Sequence, residues 1–211
     1  MAKKNKVVIF GAGGHGKVIL DILLESGSEV LGFIDDDKTR TGKKIRGFKI
    51  LGDWSYLEKH RSVYIALGIG DNRIREAVAK KAKAAGIKLA SAIHPKAAVS
   101  KDVRMGEGVV IMAGTVVNPG TVMEDGVVVN TGATVDHDCF LERFCQIWPG
   151  AHLAGTVRVG EFSYVGTGAS VIQNLKIGKN VMIGAGAVII SDCPDNTTIV
   201  GNPGRLINQN E

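Results

Sequence analysis

The chain has 211 residues, 45% hydrophobic and 22% charged, the balance of a protein that buries a core in one large or two small domains. Its 28 glycines are roughly twice the usual share of about 7%, yet no Gly-X-Y period accompanies them, which excludes collagen. A formal charge of +5 suits an anionic ligand, but no basic run interleaved with aromatics points to nucleic acid.

At the N-terminus the apolar run Val7–Phe10 is four residues long, too short for the signal-peptide apolar region of about 7–15 residues. No window approaches the roughly 18 apolar residues of a membrane span, so no membrane partner is expected. The cysteines (Cys139, Cys145 and Cys193) are odd in number, which argues against a disulfide framework and for a reducing, cytoplasmic setting. Val7–Phe10 reads as a strand, followed by the glycine loop Gly11–Gly16 and a helix over Lys17–Glu25 with Val18, Ile19, Ile22 and Leu23 at helical spacing. Val30–Ile34 reads as a second strand ending in Asp35-Asp36-Asp37. The charged stretch Lys38–Lys44 reads as a solvated connection. Val63–Leu67 is a third strand, followed by Gly68-Ile-Gly70 and a helix over Arg73–Ala85. Residues 1–90 therefore read as half of a doubly wound nucleotide-binding sheet.

The glycines fit G-x-G-x-x-G between strand and helix, where backbone approaches a pyrophosphate on the positive end of the helix. Asp35 and Asp36, at the end of the second strand, are placed to accept hydrogen bonds from a ribose or a base. A dinucleotide such as NAD normally needs two such halves, and His15 is unusual in a dinucleotide fingerprint. A mononucleotide diphosphate fits this half-domain better.

Residues 91–211 carry a period of six. Stepping by six from Ile93 to Ile189, all 17 positions are large and aliphatic. Four residues further on in each hexad the positions are small or medium in nearly every case, from Ala97 to Cys193. Neither a 3.6-residue helical period nor simple strand alternation holds such columns in place. A three-sided coil does, with 18 residues per turn, between five and six coils, and both columns pointing inward. Gly, Asn and Asp mark its corners at Asn118-Pro119-Gly120, Asp125-Gly126 and Thr131-Gly132, where positive φ is often required. Cys139 and Cys145 fall in the small inward column and read as packing residues.

The hexads resemble those of the left-handed β-helix acyltransferases, and the chain end to end resembles one branch of them. This branch comprises the nucleotide-sugar N-acetyltransferases of bacterial glycan pathways and the related sialic-acid O-acetyltransferases. The matching residues are Gly11–Gly16, Asp35-Asp36, Ile69-Gly70-Asp71-Asn72, Val135-Asp-His137-Asp138-Cys139, Pro149-Gly150-Ala-His-Leu-Ala-Gly155 and Val200-Gly-Asn-Pro203. The resemblance implies a small Rossmann-like α/β domain followed by a left-handed parallel β-helix, assembled as a homotrimer. It implies acetyl-CoA as co-substrate, no metal, and N-acetylation of a UDP-linked 4-amino-4,6-dideoxy sugar, with O-acetylation of sialic acid as the alternative. His137 would be the general base and Asp138 its partner. Gly13, Gly14, His15, Asp35, Asp36 and Gly70 would hold the nucleotide sugar, and Gln146, Gly155, Thr167 and Ala185 the acetyl-CoA. Gln146 departs from relatives that carry histidine there.

The residues support His137 independently, since it alone among five histidines is flanked by carboxylates on both sides and lies at a corner facing away from the core. Gly155 follows it by 18 residues, one full coil, so the two should stack about 4.8 Å apart, with the Gly155 N–H placed for an oxyanion. The position before each large aliphatic is apolar at Val110, Val116, Val122 and Val128, which reads as an exposed strip and an interface. Two further classes fit the residues, an NAD-dependent oxidoreductase and a non-catalytic sugar-nucleotide scaffold. A metal centre of the β-helix carbonic anhydrase type would need three clustered histidines.

Overall fold

A computed structural model describes residues 5–209. The chain divides into two compact units, Met1–Pro95 and Lys96–Glu211.

In the first unit, β1 (Lys6–Phe10) is apolar and buried along four of its five residues because it lies in the middle of a parallel sheet. It is flanked by β2 (Glu29–Ile34) and, across the last strand of the sheet, by Tyr64–Leu67. Helix α1 (Gly14–Glu25) buries Ile19, Leu20, Ile22 and Leu23. It starts three residues earlier than the periodicity indicates. Gly13 caps it in an extended conformation, and Lys17 N donates to Gly13 O at 3.2 Å, so the glycine loop itself supplies the first turn. The stretch after β2 is more than a solvated connection. It forms a one-turn 3₁₀ helix at Lys38–Arg40 capped by Asp37, then the hairpin β3 (Lys44–Ile45) and β4 (Phe48–Lys49), then a short helix α2 (Ser55–Lys59). Arg46 and Gly47 take positive φ at the hairpin turn, as two-residue loops require. The sheet ends with β5 (Tyr64–Leu67), from which the chain enters α3 (Asn72–Ala84). The carboxylate of Asp71 caps α3 by accepting from Ile74 N at 2.8 Å.

The second unit is a coil of two-residue strands that pair in parallel with those 18 residues away. Face one stacks Ala98–Val99, Val116–Val117, Thr134–Val135, His152–Leu153, Ser170–Val171 and Val188–Ile189. Face two runs from Arg104–Met105 through Val122–Met123, Phe140–Leu141 and Arg158–Val159 to Lys176–Ile177. Face three includes Val110–Ile111, Val128–Val129, Gln146–Ile147, Tyr164–Val165 and Met182–Ile183, and ends in the hairpin Thr197–Val200/Arg205–Gln209.

The large inward column is buried at every rung from Ile111 to Ile189, while Met105, at the start of the coil, is 40% exposed. Polar members of the small column satisfy themselves on the backbone: Thr115 and Thr121 donate to Asn130 O and Asp136 O, and Ser163 donates to Gly178 O. Cys139 and Cys145 are buried in this column, and burial pushes the Cys139 thiol up to about 11.

The valines do not form a strip. Six residues advance the chain by one face, so Val116 and Val122 lie on faces one and two, whereas Val110 and Val128 share face three and are fully buried.

Candidate active site

The corner between faces one and two carries Asp136, His137 and Asp138. The His137 Nδ1 lies 2.9 Å from Asp138 Oδ2, with both side chains more than half exposed. Asp138 adopts φ +57°, which turns its carboxylate back toward the preceding ring. Asp136 Oδ1 accepts from the His137 backbone N–H at 2.8 Å and from Asn118 Nδ2 at 2.7 Å. The Asn118 amide and then the His137 N–H hold the Asp136 carboxyl below the usual carboxylate range. The hydrogen bond to Asp138, helped by the charges of Asp136 and Asp138, raises the His137 pKa above the ordinary histidine value.

One rung on, Gly155 is buried directly against the imidazole. A Cβ built on Gly155 would stand 2.5 Å from His137 Nε2 and 2.6 Å from Cε1. Thr156 N donates to His137 O at 2.9 Å, which fixes this register. With Nδ1–H donating to Asp138, the neutral ring presents Nε2 as an acceptor above a glycine backbone. Such an arrangement can take a proton from a nucleophile.

Thr167 and Ala185 are exposed at the other end of face one, stacked one rung apart, with Gly186 N donating to Thr167 O at 2.8 Å. Gln146 lies on face three, 5% exposed, and its Oε1 has no hydrogen-bond partner. The coil therefore brings His137, Asp138 and Gly155 together and leaves Thr167 and Ala185 at another corner and Gln146 buried on face three. His152 is turned along face one, with Nδ1 2.9 Å from Thr134 Oγ1.

The glycine loop of the first unit separates into two kinds of position. Gly11, Gly16 and Gly68 are packing glycines. A Cβ at Gly11 would meet Gly68 O at 2.7 Å, one at Gly68 would meet Gly16 Cα at 2.9 Å, and one at Gly16 would overlap Gly11 O. Gly13, Gly14 and Gly70 instead face open space, with nothing within 4 Å of where a Cβ would stand. The first turn of α1, whose N–H groups have no partner within the helix, starts in this same loop, an arrangement suited to anions. Asp35 sits beside this loop but is heavily committed. Its Oδ2 accepts from Ala12 N at 2.9 Å and Arg40 Nη1 at 2.9 Å, and its Oδ1 accepts from Asp37 N at 3.0 Å. Asp36 is exposed. His15 occupies the first turn of α1, where burial, and secondarily Arg75, lower its pKa to about 4. Its Nε2 is buried without a partner.

Two residues that sequence reading passed over shape this loop. Arg40 ties Asp35 to Ala12 O, and the fully buried Arg75 donates to Gly70 O at 3.1 Å and to Asn72 Oδ1 at 2.6 Å. A lone basic residue inside a polar segment gives no sequence signal for either tie.

Residues 6–82 match the family described as PglD N-terminal domain. The chain is 31% identical over 166 residues to the GDP-perosamine N-acetyltransferase of Escherichia coli O157:H7, covering 75% of this chain and 74% of that protein. The chain belongs to the sugar N-acetyltransferases with a hexapeptide left-handed β-helix. Among solved members, the acetyltransferase domain of PglB from Neisseria gonorrhoeae FA1090, in complex with acetyl coenzyme A, superposes with a TM-score of 0.91 at 43% identity. That match covers 97% of this chain and all of that one. A histidine-to-alanine variant of the Caulobacter crescentus GDP-perosamine N-acetyltransferase, in complex with CoA and GDP-perosamine, gives 0.92 at 39% identity over 99% of each chain. Other curated relatives are spanned only in part: half of the Bacillus subtilis (strain 168) UDP-N-acetylbacillosamine N-acetyltransferase, and a fifth of an uncharacterized protein of Acanthamoeba polyphaga mimivirus. Among the described residues of this acetyltransferase, no three His, Cys, Asp or Glu side chains cluster to hold a metal ion. No helix among them is long and apolar enough to cross a membrane.

Proposed function

We propose that this N-acetyltransferase moves the acetyl group of acetyl-CoA onto the amine of a nucleoside-diphosphate-linked amino sugar, with His137 as general base. The observation that carries the reading is the His137–Asp138 pair stacked on Gly155. The sugar amine attacks the thioester carbonyl, an N–C bond forms, and His137 Nε2 takes the amine proton. Asp138 holds the ring by its Nδ1–H and stabilises the imidazolium. The backbone N–H of Gly155, one rung from the base, would serve the developing oxyanion. As the C–S bond breaks, the proton passes from His137 to the CoA sulfur. No acyl-enzyme is needed, and the buried Cys139 thiol, with its raised pKa, is no nucleophile.

Gly13, Gly14 and Gly70, open on their outer side, and the first turn of α1 hold the diphosphate, with His15 in that turn and Asp35 and Asp36 beside it. The ties of Asp35 to Ala12 and Arg40 make it an organiser of the loop, so Asp36 is the freer acceptor for the nucleoside. Thr167 and Ala185, with Gln146, contact acetyl-CoA, and the enzyme works as a homotrimer in the cytoplasm. The assembly is supported by the family fold and not by the valines, which are split among faces.

A UDP-linked 4-amino-4,6-dideoxy sugar is the first acceptor to assay, in keeping with the likeness to the B. subtilis enzyme. GDP-perosamine is the second, favoured by the likeness to the Caulobacter protein over nearly the whole chain. Thiol release from acetyl-CoA with each acceptor, and with CMP-sialic acid, tests the reading. Replacing His137 by Ala should lower kcat by about 10²–10⁴-fold in the same assay, the usual worth of a general base. Turnover of CMP-sialic acid alone, or near-normal kcat without the imidazole, would refute it.

A further inference from the structure

The corner Asn118-Pro119-Gly120 lies one rung before Asp136-His137-Asp138, and each of its residues touches the residues above it. Asn118 Nδ2 donates to Asp136 Oδ1 at 2.7 Å, and the Asn118 N–H donates to Val135 O at 2.9 Å. Pro119 O accepts from Asp138 N at 3.0 Å. Gly120 lies under the Asp138 carboxylate, and a Cβ at position 120 would overlap Asp138 Oδ1. Gly120 is itself held from below, its N–H donating to Asp102 Oδ2 at 2.9 Å. We infer that Asn118-Pro119-Gly120 is the positioning platform of the general base, fixing the backbone on one side of His137 and the carboxylate that holds its ring on the other.

The two ends of the platform act differently. On the Asn118 side, Asp136 Oδ1 accepts two hydrogen bonds at once, from Asn118 and from the His137 N–H, so the side chain that anchors the base's backbone is itself anchored. Asp138 is exposed and Asp136 half-buried, and each is met by the rung below. That rung supplies the restraint. On the Gly120 side the contribution is space. Asp138 reaches the imidazole from a left-handed conformation, in which its Oδ1 stands where a Cβ at position 120 would be. Any side chain there would lift it away from Nδ1. Glycine is needed at this position both for the neighbour's room and for its own φ of +76°. Catalytic groups need this kind of support, since a displacement of about 1 Å can cost about 10²-fold in rate.

This inference rests on His137 being the base, and its test separates the two. The imidazole is titrated by NMR in full-length protein labelled at histidine, its signal assigned by loss in His137→Ala, which needs no substrate. The charged groups facing the ring are Asp136 and Asp138 on its own corner, with Asp102 two rungs below. Gly120→Ala and Asp138→Ala should each move the His137 midpoint to lower pH, and the double variant should move it no further than Asp138→Ala alone, because both act on one hydrogen bond. Additive shifts, or an unmoved midpoint in folded Gly120→Ala, would overturn the Gly120 half. Asn118→Ala, at an outward half-buried position, covers the case in which Gly120→Ala fails to fold. With GDP-perosamine or the UDP-linked 4-amino sugar as acceptor, it should lower kcat between about ten- and a hundredfold and leave both KM values unchanged. A wild-type kcat in that variant overturns the Asn118 half. A wild-type kcat in His137→Ala removes the base itself, yet the NMR coupling between positions 120 and 138 would stand.

Discussion

Replacing Gly155 by alanine isolates the contact on which the proposed chemistry rests. The new methyl carbon would stand 2.5 Å from His137 Nε2 and 2.6 Å from Cε1, against an ordinary carbon contact of about 3.5–4.0 Å. The ring must give way by about 1 Å, and it is free to do so because His137 is exposed and only Asp138 holds its far side. Gly155 is not among the residues at positive φ, so alanine brings no backbone strain, and the chain keeps its N–H. Fold and stability should therefore hold, or improve by about 0.4–1 kcal/mol through the stiffer unfolded chain. Turnover should not hold. A base misplaced by about 1 Å loses about 10²-fold in rate, which is about 2.7 kcal/mol of barrier. The assay pairs a thermal melt with steady-state thiol release at saturating acceptor, and the expected result is an unchanged or higher Tm with kcat down about a hundredfold. Gly155→Ala with kcat within twofold of the parent would show that the imidazole does not act from this position.

In the first unit, Gly13→Val places its side chain in open space, so the unit should fold normally while the KM for the nucleotide sugar rises steeply and that for acetyl-CoA stays put; equal loss of both would mean that the loop serves only the fold. Cys139→Ala should leave kcat unchanged within twofold and cost about 1 kcal/mol in stability, since it removes a buried sulfur and no chemistry. His15, with a folded pKa of about 4 against 6.5, binds its proton more weakly in the folded state. Its contribution to stability is therefore full above about pH 6.5 and lost as pH falls toward 4. The loss should reach roughly 3 kcal/mol, and urea titrations at several pH values should show it shrinking in His15→Gln.

The coil was legible because packing against a three-sided core fixes the identity of every sixth residue, whatever the local propensity. Reading Ile111 or Leu153 as inward needed only their spacing. The same spacing misled at Val110, Val116, Val122 and Val128, because the period that aligns inward residues turns outward ones through a third of a circle at each step. The dyad was legible too, since Asp-His-Asp at a corner is a local pattern and Gly155 is one coil away. The ties of Arg40 to Asp35, of Arg75 to Gly70 and of Asn118 to Asp136 were not. Each depends on where a long or polar side chain ends in space, which no single-chain periodicity encodes. The helix α1 began early for a related reason. Apolar spacing begins only at Val18, so it gave no sign of the first turn at Gly14–Gly16, where the chain packs so closely that a Cβ on Gly16 would overlap Gly11 O.

A coil of this kind also works as a ruler. Position along its axis is counted in residues, about 4.8 Å for every 18, so the rungs of His137 and Ala185 stand roughly 13 Å apart along the axis. Deleting a single hexad between His137 and Gly155, or between Thr167 and Ala185, would rotate everything downstream onto a neighbouring face and separate the two groups that now share an edge. Adding or removing a whole coil after Gly155 would keep His137 and Gly155 in phase and slide Thr167 and Ala185 along the axis by one notch. Length changes in this half of the chain are thus quantised. The distance from His137 to the Thr167 and Ala185 corner can be lengthened, with every group kept on its edge, only in whole-turn steps, which gives an engineer a defined unit of change that leaves the His137 corner untouched.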